Sequence, residues 1–418
     1  MLRKIDRINL NSLFGVITKL VEISKTFLLV IISGKLLSQN EFGIFSFMLT
    51  IFSIVSIIAE YRLQDIIFRN INRGESVEEV ISNSLIISIL FSGIGYVIFT
   101  FVGSFDFSGN IQHEYYLFGI VFFLNSSRVL KVALIVKKHS ILVFFIEIFG
   151  LFLAIIYLFG VYNAGTLVLS SLVKYRLLDS FIVAIIVSLL FLTKHKVSLH
   201  EVTRDKIKHY LVSSLPLVFS GFAVVLYQKL DSLIIKFYLG FEVLGLYTAN
   251  FTLVSIFTLI PVIICQMYSS EIHLKANNEI VLLNYLKKMN LIGASFSVLY
   301  LLLSNHLIAF LFNSEFVLEY PFYMLFSSIP LISTIGASGT QAMISTNCHS
   351  YVWIKSLSSL VVNLILNIIF INIWGLIGCL VASIISMSLS NFFFNYVITR
   401  YKYIFILQTR SFNYASKK

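Results

Sequence analysis

Three charged side chains within one apolar stretch are the first candidates for a functional site. Lys174, Arg176 and Asp179 lie there in a segment that is otherwise apolar. On a helix Arg176 and Asp179 share a face, whereas Lys174 and Arg176 point about 200° apart. We therefore predict that one of these cations faces a cavity, because charge at membrane depth is costly without a partner. The alternative is that carboxylates such as Asp179 or Glu147 neutralise both cations.

A second charged group lies in the first apolar stretch. Glu22 is three residues from Lys19 and three from Lys25, so an ion pair with either lysine fits a helix surface. Two interpretations stay open. The group is structural, either as an ion-pair ladder or as an interfacial helix start at Lys19, or its charges face a cavity.

Buried carboxylates are the candidates for ion coupling or internal ion pairing. Asp231 lies near Lys229 in an apolar stretch and could pair with it or with a cation of another helix. Glu147 is a second isolated carboxylate, and Glu22 and Asp179 join the same candidate set. Asn363 and Asn367 lie one turn apart, where they can bond across helices or to a polar ligand.

Motifs of enzymatic chemistry are missing from the sequence. It contains no HExxH, no GxSxG and no glycine-rich phosphate loop, and none of its three cysteines has CxxC spacing. We therefore predict no catalytic residues, no metal site and no cofactor, and a protein that is not an enzyme. Without a P-loop, energy for any transport must come from an ion gradient, from substrate concentration or from another protein.

Composition indicates a membrane protein. Hydrophobic residues make up 58% of the 418-residue chain, charged residues only 12%, and the mean hydropathy is +0.91. A net charge of +11 would suggest a nucleic-acid partner in a soluble protein. Here cytoplasmic loops that face anionic lipid headgroups explain the charge better, so we predict membrane lipid and no nucleic acid as partner.

Twelve apolar stretches are predicted to span the bilayer as helices, the element that satisfies its own backbone hydrogen bonds in lipid. Their approximate bounds are 13–37, 42–60, 80–102, 116–136, 141–161, 166–192, 211–239, 244–267, 291–312, 322–346, 351–373 and 375–398. Of the 31 Lys and Arg, 24 fall in the N-terminal tail, in every second gap and in the C-terminal tail, including Arg128, Lys131 and Lys355. The positive-inside rule therefore places both termini in the cytoplasm.

A repeat divides the chain in half. The segment 35–46 aligns without gaps on 237–248, with Gly43 matching Gly245 at an offset of 202 residues. The longest polar interruption, Thr193–His209, lies between the two copies. We predict an all-α integral membrane protein with 12 transmembrane helices in two parallel six-helix lobes. The predicted domains are an N-lobe over 1–193, a cytoplasmic connector over 194–209 and a C-lobe with a cytoplasmic tail over 210–418.

Motifs along nearly the whole chain resemble Wzx-type polysaccharide flippases, which move O-antigen and capsule repeat units and belong to the multidrug/oligosaccharidyl-lipid/polysaccharide exporter (MOP) superfamily. The family's Leu-Gly-x-x-x-Phe-Gly pattern is similar to Leu37-Ser-Gln-Asn-Glu-Phe-Gly43, where Ser38 replaces the usual glycine. The second half matches better, in Ser213–Pro216, Gln228–Asp231, Leu239–Ala249, Asn363–Asn367 and Trp374–Ala382.

This resemblance implies two lobes around a central cavity with alternating access, in the bacterial inner membrane. It implies an undecaprenyl-diphosphate-linked oligosaccharide as substrate, with a polysaccharide polymerase and a chain-length regulator as candidate partners. Cavity cations would lower the cost of moving a diphosphate through a low dielectric. Our candidates for binding it are Arg176, Lys174, Lys25 and Lys19. Two alternatives stay open: an ion-coupled multidrug exporter, and a scaffold of a polysaccharide assembly complex that transports nothing itself.

The topology is tested by labelling single cysteines, in a variant without the native thiols, using a reagent that cannot cross the membrane. We expect cysteines within Thr193–His209 to be protected in intact cells. Those within Gly103–His113, which carries Asp106 and no Lys or Arg, should be labelled. Labelling of the 193–209 segment from outside would overturn the topology.

Overall fold

The structure is a computed structural model that describes residues 10–165, 168–195, 197–268, 272, 278–346 and 352–413. Eight residues discussed above lie outside the described residues: Arg3, Lys4, Arg7, Lys196, Lys275, Cys348, Lys417 and Lys418. The described elements are all helical. The α-helices are α1 Leu10–Leu36, α2 Gln39–Glu60, α3 Leu63–Asn72, α4 Val77–Asp106, α5 Gly109–Gly119, α6 Val121–Asn125, α7 Arg128–Val136, α8 Ser140–Asn163, α9 Leu169–Lys194, α10 Arg204–Met267, α11 Glu279–Leu311, α12 Tyr320–Ser345, α13 Val352–Ser388, α14 Phe394–Val397 and α15 Lys402–Ser411.

Nine helical runs of the described residues are long and apolar enough to cross a membrane. Two of them fold back at a glycine and so supply two passages each: α10, and the run Leu357–Val397, which includes most of α13. The first helix, α1, is equally long but carries several charges. Together these runs make twelve passages in the described part of the chain, which confirms the predicted fold class.

Gly240 and Gly375 are the two fold-back points. Their φ angles are +87° and +57°, in the left-handed region that glycine adopts without steric cost. Asp231 and Tyr247 hydrogen-bond at 3.2 Å, although 16 residues of straight helix would separate them by about 24 Å. The bond of 3.2 Å from Asn363 to Ser383 requires the same reversal in α13.

The predicted fourth span is built from three short helices, α5, α6 and α7. At the junction of α6 and α7, the backbone N–H groups of Ser126 and Ser127 bond carbonyls three residues back instead of four. This tighter turn precedes Arg128, the first residue of α7. The helix α7 therefore starts within the apolar run and not in a loop.

The seventh passage begins earlier than expected. Its helix, α10, starts at Arg204, inside the segment 194–209 that the sequence predicts as a connector. The side chain of Thr203 accepts a hydrogen bond from the N–H of Lys206. The N–H of Thr203 in turn donates to Asn83 Oδ1 at 3.1 Å. These contacts cap the helix at a polar position.

The domain bounds that the sequence predicts, 1–193, 194–209 and 210–418, stay a prediction.

Packing groups the chain into two compact units. The first contains residues up to Leu37 and Met48–Phe222, and its core packs α3, α4, α7 and α9 through buried side chains such as Ile67 and Leu134. The second contains Ser38–Phe47 and everything from Ala223, and its core includes Met289 and Leu407. The beginning of α2 thus packs with the second unit.

Gly43 and Gly245, the matched glycines of the repeat, contact each other within the second unit. A Cβ atom built on either residue would lie 3.2 Å from the backbone nitrogen of the other. At Gly43 it would also overlap the carbonyl of Phe241, and at Gly245 the carbonyl of Gln39. Backbone cannot move aside as a flexible side chain can, so the two helix starts approach closely because both residues are glycine.

We expect Gly245→Ala to lower the thermal unfolding midpoint of the purified protein, because overpacking of this kind costs about 1–3 kcal/mol. The control is Gly160→Ala in α8, where an added Cβ meets nothing within 4 Å. Both variants add one methyl group to a helix, and only the first meets backbone. Equal midpoints for the two variants would contradict the close contact.

Candidate functional site

Six charged side chains form a chain of alternating sign inside the first unit. They come from four helices: Glu22 and Lys25 from α1, Lys131 from α7, Glu147 from α8, and Arg176 and Asp179 from α9. Every neighbouring pair in this charge chain has opposite sign. The geometry therefore compensates each charge locally, as charges at membrane depth require.

The middle of the charge chain is buried. The ammonium of Lys25 lies 2.8 Å from Glu147 Oε2 and 2.7 Å from Asp179 Oδ1. These three residues are only 3–4% exposed. At such distances and burial the ion pairs are strong, and removal of one partner would leave an uncompensated charge.

The two ends of the charge chain are more open. The Lys131 ammonium lies 2.9 Å from Glu147 Oε1 and also contacts Glu22, whose side chain is 36% exposed. At the other end, Arg176 lies 3.5 Å from the second oxygen of Asp179, with a side chain that is 17% exposed. Water or a ligand can therefore reach the ends more easily than the middle.

Close packing of α8 against α9 brings the carboxylates together. A Cβ atom on Gly150 of α8 would lie 2.8 Å from a methyl of Val183 and 3.1 Å from Asp179 Oδ1. The glycine thus lets the two helices approach one turn from Glu147. Lys25, on α1, reaches across to both of them.

The charge chain lines a small, partly open recess. Four cations line it, namely Lys25, Lys131, Arg176 and Arg128, against the three carboxylates of the charge chain. Arg128 also pairs with Glu60, which is outside the lining. Asn125 lines the recess too, and its side-chain N–H₂ is buried without an acceptor in the described structure. Within the lining itself cations exceed carboxylates by one, a difference that Glu60 offsets from outside, and the clustered N–H donors together with the unused donor of Asn125 suit an anion.

The structure brings together five of the eight residues that the sequence singles out. Arg176, Lys25, Glu22, Glu147 and Asp179 all line the recess. Glu22 pairs with a lysine of α7 and not with a lysine of its own helix. Arg176 and Asp179 do share a helix face and an ion pair.

Lys19 and Lys174 lie elsewhere. Both side chains are exposed, and neither lines the recess. Of the two cations of α9 that point in different directions, Arg176 is the one directed into the recess.

Arg128 and Lys131 are functional candidates that the sequence analysis did not select, because it counted them among the loop cations. In the structure Lys131 is 8% exposed and bonds two carboxylates. The available signal was their spacing of three residues inside an apolar stretch, which directs both side chains to one face. Lys355 was counted with them, and it is also buried, bonding Asn395 Oδ1 at 2.6 Å.

Asp231 belongs to a separate cluster in the second unit. Its carboxylate accepts hydrogen bonds from Asn367 at 3.0 Å, from Tyr247 at 3.2 Å and from Ser383 at 2.5 Å. Among the described residues no lysine or arginine forms an ion pair with it, so neither Lys229 nor another cation is its partner. The side-chain oxygens of Asn363 and Asn367 are buried without a donor. This cluster is rich in oxygen acceptors and holds a buried carboxylate with neutral partners alone.

Comparison with known proteins identifies the family. Residues 10–270 match the family model described as polysaccharide biosynthesis protein, which is well over half of the chain. The chain belongs to this family. No curated protein matches it. The predicted resemblance to polysaccharide flippases is therefore confirmed at the level of the family.

Solved structures show the same fold. One is the lipid II flippase MurJ in an inward closed conformation, with a TM-score of 0.69, 15% identity, and coverage of 96% of this chain and 91% of that chain. Another is an inward-facing multidrug resistance MATE family transporter of the MOP superfamily, with a TM-score of 0.68, 14% identity and coverage of 94% and 96%. A MOP superfamily transporter from Pyrococcus furiosus matches with a TM-score of 0.60 and 12% identity over 96% and 95%. This member of the polysaccharide biosynthesis family thus has the MOP transporter fold.

Proposed function

We propose that the protein is a flippase that moves undecaprenyl-diphosphate-linked oligosaccharide units from the inner to the outer leaflet of the bacterial cytoplasmic membrane, with both termini in the cytoplasm. The observation that carries the proposal is the recess in the first unit, where cations outnumber carboxylates among apolar helices. Family membership supports a polysaccharide-related substrate, and the fold supports transport.

The diphosphate is the part of such a substrate that crosses the membrane at the greatest electrostatic cost. Its two negative charges lose hydration in a low dielectric, and nearby cations offset part of that loss. The guanidinium groups of Arg128 and Arg176 can each grip phosphate oxygens through two N–H donors, whereas Lys25 and Lys131 supply point charges. The proposal therefore retains Arg176 and Lys25 from the sequence analysis and adds the two cations of α7.

The two alternatives make other demands on the site. An exporter of cationic drugs would favour a recess where carboxylates exceed cations, the reverse of the lining here. A scaffold needs no buried charges, which cost stability without a function. A polysaccharide polymerase and a chain-length regulator remain partners in the proposal, because a flipped unit must be passed on for polymerisation.

Arg176→Gln tests the diphosphate site. In vesicles containing the purified protein and a fluorescent prenyl-diphosphate oligosaccharide, we expect the flipping rate to fall about tenfold or more. Loss of one hydrogen bond to a charged group costs about 1.5–3 kcal/mol. The matched control is Lys174→Gln, which removes an exposed cation from the same helix and should leave the rate unchanged.

The double variant Arg176→Gln/Asp179→Asn separates binding from a structural role. A purely structural Arg176 should lower the amount of protein in the membrane when replaced alone, and neutralising Asp179 should restore it. Full flipping by the single variant would remove Arg176 from the site. Full rescue by the double variant would reassign it to an ion pair with Asp179.

We further propose that Asp231 binds the coupling cation, a proton or a sodium ion. A buried carboxylate among hydroxyl and amide groups can take either, and the donor-free oxygens of Asn363 and Asn367 supply further ligands for sodium. The carboxylates of the first unit are already paired with lysine or arginine. Asp231 is thus better suited to a cation than they are.

We expect Asp231→Asn to weaken the response of flipping to an imposed cation gradient. The rate should be measured in vesicles with a sodium gradient and, separately, with a pH gradient. The gradient that accelerates the wild-type protein should have a smaller effect on the variant, whose fold is preserved by an amide of the same shape. A variant that responds as the wild type does would exclude Asp231 from coupling.

A further inference from the structure

Glu147 is the carboxylate of the recess whose stabilising ion pairs are most affected when an anion binds. Its two carboxylate oxygens each bond one lysine, Oε2 with Lys25 at 2.8 Å and Oε1 with Lys131 at 2.9 Å. It is 3% exposed and lies in α8, among apolar side chains. Its ionised form therefore depends on these two ammonium groups.

A diphosphate in the recess needs the same two ammonium groups. Lys25 and Lys131 are the lysines that line it, and both are already bonded to carboxylates. Each ammonium already gives two of its three N–H donors to carboxylates, so an incoming dianion competes with those carboxylates for its charge and its donors. Anion binding is consequently a competition between the substrate and Glu147.

The neighbouring carboxylates can tolerate this competition. Glu22 gives up Lys131, yet its side chain is 36% exposed, so water can solvate it. Asp179 gives up Lys25 but retains Arg176 at 3.5 Å. Arg128 retains Glu60. Glu147 alone among these described carboxylates would be left both buried and without a cation, a state that costs several kcal/mol.

We propose that Glu147 takes up one proton from water when the diphosphate binds, so that each bound head group is accompanied by a proton. The new bond is an O–H bond on the Glu147 carboxyl, and no other bond forms or breaks. Two ammonium charges then face the two charges of the diphosphate, while Glu147 is neutral. The inference rests on the proposed diphosphate site and adds to it a stoichiometry and a named proton acceptor.

Calorimetry measures this proton directly. The purified protein is titrated with a soluble short-chain prenyl diphosphate sugar, a diester whose phosphates stay ionised near neutral pH, in two buffers of different ionisation enthalpy. We expect the difference in heat to report about one proton taken up per molecule bound. Uptake of one proton also predicts that affinity weakens about tenfold for each unit of rising pH, wherever the measured uptake is one proton.

Glu147→Gln should bind the probe without proton uptake and with an affinity that no longer depends on pH. The matched control is Glu22→Gln, which neutralises the other carboxylate bonded to Lys131 and should still take up the proton. A Glu147 variant that fails to fold leaves the wild-type measurement in two buffers as the test.

The outcomes separate the two proposals. Binding of the probe without proton uptake by the wild-type protein overturns this inference and leaves the flippase proposal standing. Proton uptake that persists in Glu147→Gln overturns the assignment to Glu147. The absence of any binding overturns the diphosphate site itself, and this inference with it.

Discussion

Compensation of charge away from water is the constraint on which the first unit depends. Lys25, Glu147 and Asp179 are almost fully buried, so each is tolerated only with an oppositely charged neighbour at hydrogen-bond distance. Because the partners lie on α1, α8 and α9, and Lys131 adds α7, the pairs also fix how these helices pack. In lipid, where apolar surfaces gain little from contact with each other, such polar links carry much of the specificity of helix packing.

The two units stabilise their buried charges in different ways. In the first unit formal charges neutralise one another, so the arrangement responds strongly to any added ion. In the second, dipoles surround Asp231: a phenol, an amide and a hydroxyl donate to it. Dipoles stabilise a carboxylate without cancelling its charge, and a small cation can still be attracted to it. The two clusters of buried charge therefore differ in chemistry, one made of ion pairs and the other of a carboxylate among dipoles.

Sequence patterns predicted the fold well because hydropathy and loop charge are strong signals for membrane helices. The sequence also predicted the repeat at Gly43 and Gly245 and the i,i+3 pair of Arg176 and Asp179. It could not predict the contacts between distant helices. No spacing rule connects Lys25 with Glu147, 122 residues away, or Asn367 with Asp231. Lys131 was not selected as a candidate because charge counting treats every cation near the end of a span as a loop residue.

The contact between Gly43 and Gly245 means that neither position can vary alone. A side chain on either residue would meet the backbone of the opposite helix start, and a smaller residue at the other position cannot make room, because glycine is already the smallest. Two positions that lie 202 residues apart in the sequence therefore behave as one steric site.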